Sequence, residues 1–471
     1  MKLQIKLFLW VLVCLFFVSC TEKSAQEKSL TGDPKKLTVA ENGRYLITGD
    51  GKPFFWLGDT GWLFNRLNRE EIIAYLENRR QKGFNVIQVM LLHNVDAHNA
   101  YLDSALRHGD ISKPAVTPGN NFANATEYDY WDNVDEVIKQ ASKIGLYMAL
   151  VPVWGTNVKE KKVNKAQAVH YAKFLAERYK NQWNIIWLNG GDIKGSDGKE
   201  IWEAIGETLD ANDPNHLITF HPRGRTTSSD WFHHAKWLDF NMVQSGHRRY
   251  EQDTSKKEKN HFGQDNYKYI QIDYHLKPTK PTIDGEPSYE DIPQGLHDVN
   301  EPRWTAADVR RYGYWSVFAG AFGYTYGHNS VMQMYRKTDL TPAYGPHEEW
   351  LKALDSEGAK QMIHLKNLML SRSFLDRVPD QSLIVNNGIR YNRVAATRGN
   401  NYVMAYTYTG AAFTVDLAKL KWSNIKISWF NPRNGQFTKV DHPKDQVNVF
   451  TFKSPGKAAD GNDWVLVIDK I

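Results

Sequence analysis

The stretches NIIWLNGGD (residues 184–192) and KPTIDGEPSY (residues 280–289) decide how this chain is read. Each is an apolar strand that stops abruptly at glycine and a carboxylate, Asp192 in the first and Glu286 in the second. In parallel barrels the residues that do chemistry sit at this point, where a strand runs out and its loop begins. Two carboxylates delivered to one face are the minimal equipment for cleaving a glycosidic bond. The first expectation is therefore a carbohydrate-cleaving barrel.

Working outward, apolar runs alternate with helical patterns. Residues 44–53 predict a small hairpin turning at Asp50-Gly51, and residues 54–59 predict the first barrel strand. Asn68 and Glu71 form a capping box ahead of the stripe Ile72, Ile73, Tyr75 and Leu76. Further strands are expected over 84–92, 146–153, 185–188, 216–220, 237–243, 282–283 and 321–326. Helices are expected over 131–144, 166–179, 201–209, 260–274, 305–319 and 348–370. Eight strand–helix units fill the ~250–350 residues of an elaborated (β/α)8 TIM-type barrel. The rival, a doubly wound open sheet, lacks its Gly-rich fingerprint after an early strand. From residue 377 short alternating segments separated by Asn, Gly and Pro predict an antiparallel β-sandwich.

The N-terminus sets the compartment. A basic start with Lys2 and Lys6, an apolar run over 7–18 and then Ser19-Cys20 read as a bacterial lipoprotein signal. Cys20 would carry the lipid anchor, giving a protein of the cell envelope, in the periplasm or at the outer-membrane surface. The expected organisation is signal 1–20, polar tether 21–37, α/β barrel 38–376 and β-sandwich 377–471. The only other cysteine, Cys14, lies inside the signal, so the mature chain has no thiol chemistry, disulfide or Cys-based metal site. The formal charge of +6 falls by two, to +4, when Lys2 and Lys6 leave, which excludes a nucleic-acid footprint. Aromatic residues make up 13%, enough to stack on sugar rings as well as fill a core.

The run LITGDGKPFFWLGDTGW (residues 46–62), together with Asn189-Gly-Gly-Asp192 and Asp284-Gly-Glu286, resembles the apiosidase family of glycoside hydrolases (family 140) over about residues 38–471. The resemblance implies a retaining barrel glycosidase whose acid/base and nucleophile follow strands four and seven. It also implies a C-terminal all-β domain of the type labelled collagen-binding, and release of apiose-containing side chains from galacturonate, as in the pectic polymer rhamnogalacturonan II. The wider superfamily carries Asn-Glu at strand four, where this chain has Asn189 and, beyond two glycines, Asp192.

The chemistry assigns roles. Glu286 is the candidate nucleophile and must be ionised; Asp192 is the candidate acid/base and must hold a proton when the bond breaks. Asp284, two positions earlier on the same side of the strand, is expected to support Glu286 from below. No cofactor is required, and the mixed spacing of His221, His233, His234 and His247 does not suggest a metal site. Other strand ends supply candidate sugar-binding groups: Asp59, Trp62, His93, Asn94, Trp154, Asn189, His221, Gln244, His247, Tyr324 and His328. Arg223, Arg225, Arg248 and Arg249 are candidates for a galacturonate carboxylate. The alternatives are a barrel glycosidase for another pentofuranoside or hexoside, and a glycan-binding adhesion lipoprotein that has lost catalysis. Both partners would be plant cell-wall glycans.

Overall fold

The computed structural model describes residues 33, 35–440 and 448–471; the leader, Cys20 and most of the tether lie outside the described residues. Eight parallel strands follow chain order: β1 Trp56–Thr60, β2 Val86–Met90, β3 Tyr147–Val151, β4 Ile185–Ile193, β5 Ile218–Pro222, β6 Asn241–Gln244, β7 Thr282–Asp284 and β8 Gly323–Tyr326. Ladders join each to the next except at β5–β6, and β8 pairs back with β1. At β5–β6 the link is Asp239 N donating to Ile218 O at 2.9 Å, with Thr219 Oγ1 donating to Phe240 O at 2.6 Å. Thr226–Thr227 adds a ninth, antiparallel strand along β6. The sheet is thus a nearly closed, mostly parallel barrel, and the β8–β1 pairing rules out the doubly wound arrangement.

The outer helices are α1 Arg69–Gln81, α2 Tyr130–Lys143, α3 Lys165–Tyr179, α4 Lys199–Asn212, α5 Tyr267–His275, α6 Ala306–Phe318 and α7 Glu357–Leu370. Local chemistry explains their starts. Asn68 accepts from Glu71 N while Glu71 accepts from Asn68 N, both at 2.9 Å, so the capping box read in the sequence forms. Three expectations were too long. The helix expected over 260–274 is regular only over Tyr267–His275. The strand expected over 237–243 begins only at Asn241. The helix expected over 348–370 breaks between Ala353 and Glu357, where Ser356 is extended (ψ 154°).

Asp59 is buried between sheet and helix rather than facing a ligand. Its carboxylate accepts from Tyr75 Oη and Arg79 Nε, each at 2.7 Å, and Arg79 donates onward to Leu354 O at 2.9 Å. This fully buried pair ties β1 to α1 and to the segment before α7.

Beyond the barrel lie two antiparallel sheets, one of six strands and one of three. Tyr402–Thr407, at the middle of the larger sheet, alternates strictly. Val403 and Ala405 join Phe413, Val415 and Phe452 of the smaller sheet in one apolar cluster. Tyr402, Met404 and Tyr406 turn the other way, into a cluster shared with Tyr314 and Phe318 of α6. Tyr406 stacks on Tyr314 with centroids 4.6 Å apart and planes at 10°, and Asp463 takes two 2.9 Å bonds from Arg310 of the same helix. Both faces of this sheet are therefore committed, one of them to the barrel.

The buried Asp59–Arg79 pair generates a test. Arg79→Leu strands an uncompensated carboxylate and is expected to cost about 3–5 kcal/mol in urea unfolding. A loss below about 1 kcal/mol would show that the pair does not tie the layers together.

Candidate active site

Strand β4 does not end cleanly. Its pairing with β5 shifts register between Gly190 and Ile193, leaving two residues outside the ladder. Gly190, Gly191 and Asp192 take φ of +89°, +117° and +46° in succession. Such a bulge re-aims the side chain it carries, here Asp192 into the mouth of the barrel. Only glycine fits before it: a Cβ on Gly191 would lie 2.5 Å from the Trp154 ring, and one on Gly190 would lie 2.7 Å from His221 O. The Gly-Gly pair is what lets the short aspartate arm point into the cavity with Trp154 lying against the turn.

Glu286 is held from the opposite side. Gly285 N and Glu286 N both donate to Val243 O at 2.9 and 3.3 Å, Glu286 O accepts from Gly246 N at 3.1 Å, and Gln88 Nε2 donates to Gly285 O at 2.9 Å. Two imidazoles meet its carboxylate: His221 Nε2 lies 3.1 Å from Oε2, and His247 Nε2 lies 3.2 Å from Oε1. His221 Nδ1 lies 3.4 Å from Asp192 N, so the same ring touches both strand ends. That placement suits a tautomer with the proton on Nε2, facing the glutamate.

The two acids diverge electrostatically. Burial alone would raise Glu286, but the contacts of His221 and His247 outweigh it and hold the carboxyl at about 2. Asp192 moves the other way, to about 6, first because the surrounding cavity wall disfavours the charged form and second because Glu286 is negative. Its carboxylate still opens to the cavity, so it can reach a ligand. Near pH 5 one acid is ionised and the other largely protonated.

Both line a cavity of about 620 Å³. Of the sugar-binding candidates, Trp62, His93, Trp154, Gln244 and His247 also line it, with His221 buried behind Glu286. The aromatic wall is continuous: Trp62 and Trp154 have centroids 5.5 Å apart, and Trp62 Nε1 donates to Tyr289 Oη at 3.0 Å.

The remaining candidates do other work. Asp59 is the interlayer ion pair already described. Asn94 accepts from Asp96 N at 2.9 Å and shapes a turn. Asn189 spends its amide on Trp202 O at 2.7 Å, outside the barrel mouth. Tyr324 is buried in the core, and His328 accepts from Ser330 N at 3.1 Å to cap a short helix. Asp284 makes no bond to Glu286; it is buried on Ser245, Asn266 and Ser316 at 2.6, 3.0 and 3.1 Å. Desolvation raises it to about 6.

Sequence reasoning missed the far wall. Gln333 and residues 339–344, in the long excursion after β8, complete the cavity with Tyr344 and Tyr289. This excursion has neither helical nor strand periodicity, so no pattern announces it; Tyr289 alone, three residues after Glu286, was within reach of a strand-end argument.

The sequence profile described as "Apiosidase-like, catalytic domain" matches residues 40–376, and that described as "Putative collagen-binding domain of a collagenase" matches residues 378–469. Among solved structures, one titled glycoside hydrolase is 47% identical, covers 92% of this chain and 97% of its own, and superposes with a TM-score of 0.86. Another, titled glycoside hydrolase family 5 from Bacteroides vulgatus ATCC 8482, is 44% identical over 92% and 93% of the two chains, with a TM-score of 0.87. Curated proteins returned no match. The chain belongs to the apiosidase-like family and is a glycoside hydrolase.

The glycine turn is directly testable. Gly191→Ala forces a side chain into an unfavourable φ and against Trp154, at about 1–3 kcal/mol of strain. Because the displaced group is Asp192, turnover should fall about 100-fold. Turnover at the wild-type level would show that the turn does not aim the acid.

Proposed function

We propose that this hydrolase cleaves apiosyl linkages to galacturonate in rhamnogalacturonan II with retention of configuration, using Glu286 as nucleophile and Asp192 as acid/base. The observation that carries the reading is the pairing of Asp192 and Glu286 in one cavity, with His221 and His247 against the two oxygens of Glu286 alone, which holds Glu286 low while Asp192 is raised. Glu286 attacks the anomeric carbon as the glycosidic bond breaks, and the Asp192 proton passes to the departing oxygen. Esterification removes the charge on Glu286, and with it the second cause of the high Asp192 pKa. Asp192, now a carboxylate, takes a proton from water as that water attacks the anomeric carbon and frees Glu286. Such a route requires carboxyl oxygens ~5–5.5 Å apart.

The substrate assignment is supported by the family and by the character of the cavity. Trp62 and Trp154 offer ring faces, and Gln244 and Gln333 offer amides for the hydroxyls of a small branched sugar. The same proposal holds the enzyme at the bacterial envelope through a lipid on Cys20.

Four tests follow from this proposal. Glu286→Gln should abolish release of apiose from rhamnogalacturonan II oligosaccharides without altering the unfolding midpoint; retained release would remove Glu286 as nucleophile. Activity requires Glu286 ionised and Asp192 protonated, so it should decline as pH rises through about 6. Asp192→Asn should erase that alkaline limb and lose far more activity on natural leaving groups than on activated aryl glycosides, which need little protonation. Equal losses on both substrates would exclude the acid role. Cys20→Ser should move the protein from the membrane to the soluble fraction, and an unchanged distribution would discard the anchor.

A further inference from the structure

Four arginines line the cavity: Arg66, Arg223, Arg225 and Arg248. Three are already neutralised. Arg66 pairs with Asp339, Arg223 with Glu258 at 2.7 Å and Arg225 with Asp253 at 2.9 Å. Arg249, the next residue along, faces away from the cavity and pairs with Glu301 at 3.1 Å. Arg248 alone of these has neither an ion pair nor a hydrogen bond among the described residues, although it is half-buried. We infer that Arg248 is a specificity-determining residue, the receptor for one carboxylate on the sugar that adjoins the cleaved bond.

The position fits that task. His247 touches Glu286 at 3.2 Å, and the Cα of Arg248 follows it by ~3.8 Å. Arg248 lines the same cavity as Glu286, one residue beyond the imidazole that touches it, a place suited to an adjoining sugar ring. Arg248 is half-buried without an ion pair of its own, and burial followed by the neighbouring Arg225 depresses its pKa despite the opposing charges of Asp253 and Glu258. A bound anion would relieve both effects. The planar fork of arginine matches a carboxylate with two parallel bonds. A single unpaired guanidinium matches a monoanion better than a doubly charged phosphate ester. Glu258, Asp253 and Glu301 sequester the other arginines, so the cavity presents one such receptor and not a diffuse basic surface.

The inference rests on the glycosidase reading for its biological substrate, but it can be tested without turnover. Full-length Glu286→Gln protein is titrated by calorimetry with digalacturonate and with the same disaccharide as its methyl ester. The acid should bind more tightly, and adding Arg248→Met should weaken only the acid, by about ten- to a hundredfold. Arg248→Lys should retain part of the binding that Arg248→Met loses, and Arg249→Met should weaken neither ligand. Absence of any preference for acid over ester in the parent protein, or equal weakening of both ligands by Arg248→Met, would overturn the inference. With rhamnogalacturonan II oligosaccharides and the otherwise unaltered enzyme, Arg248→Met should raise KM with little change in kcat. If apiose release fails altogether while the acid preference persists and depends on Arg248, the receptor stands and the reaction proposed above falls.

Discussion

Two carboxyl groups share one poorly hydrated cavity, and both cannot carry charge there without penalty. His221 and His247 decide the matter by taking the two oxygens of Glu286 at 3.1 and 3.2 Å. Once Glu286 is fixed as the anion, its charge adds to burial in keeping the proton on Asp192. In the mechanism proposed above, the division of labour between nucleophile and acid is thus a property of the imidazoles, not of the carboxyls. The Gly190-Gly191 bulge turns Asp192 toward the cavity, where the surrounding wall and the charge of Glu286 raise its pKa.

The remainder of the fold keeps these groups still. Val243 O receives two backbone donors from the Glu286 turn, and the Asp59–Arg79 pair fastens β1 to the helices outside it. The C-terminal sheets extend this bracing. Tyr406 stacks on Tyr314, and Asp463 grips Arg310, so α6 is clamped between the barrel and the larger sheet. Those contacts brace the larger sheet against the barrel.

How much of this was readable in the sequence varied with the range of the interaction. The strand ends at Asp192 and Glu286, the Asn68–Glu71 cap and the alternation along 402–407 all depend on neighbours a few residues away, and all were legible. Side-chain direction at a strand end was not. Asp59, Asn189 and Tyr324 lie on their strands as expected, yet their side chains are spent on Arg79, on Trp202 O and in the core, because the sequence does not say which face of the sheet each occupies. His328 was lost to a local cap of the same kind. The arginines show the limit most clearly: Arg223 and Arg225 are consumed by Glu258 and Asp253, partners about thirty residues away that only the folded loop after β6 brings near.

The central claim is that Glu286 becomes covalently bonded to the sugar. Intact-protein mass spectrometry of the quenched reaction between Asp192→Ala enzyme and an aryl apioside with an activated leaving group tests it most directly. The account predicts a mass increase of one apiosyl residue that maps to the peptide carrying Glu286 and is absent when Glu286 is also replaced by Gln. Phenol released with no adduct at any quench time, or an adduct on another residue, would contradict it.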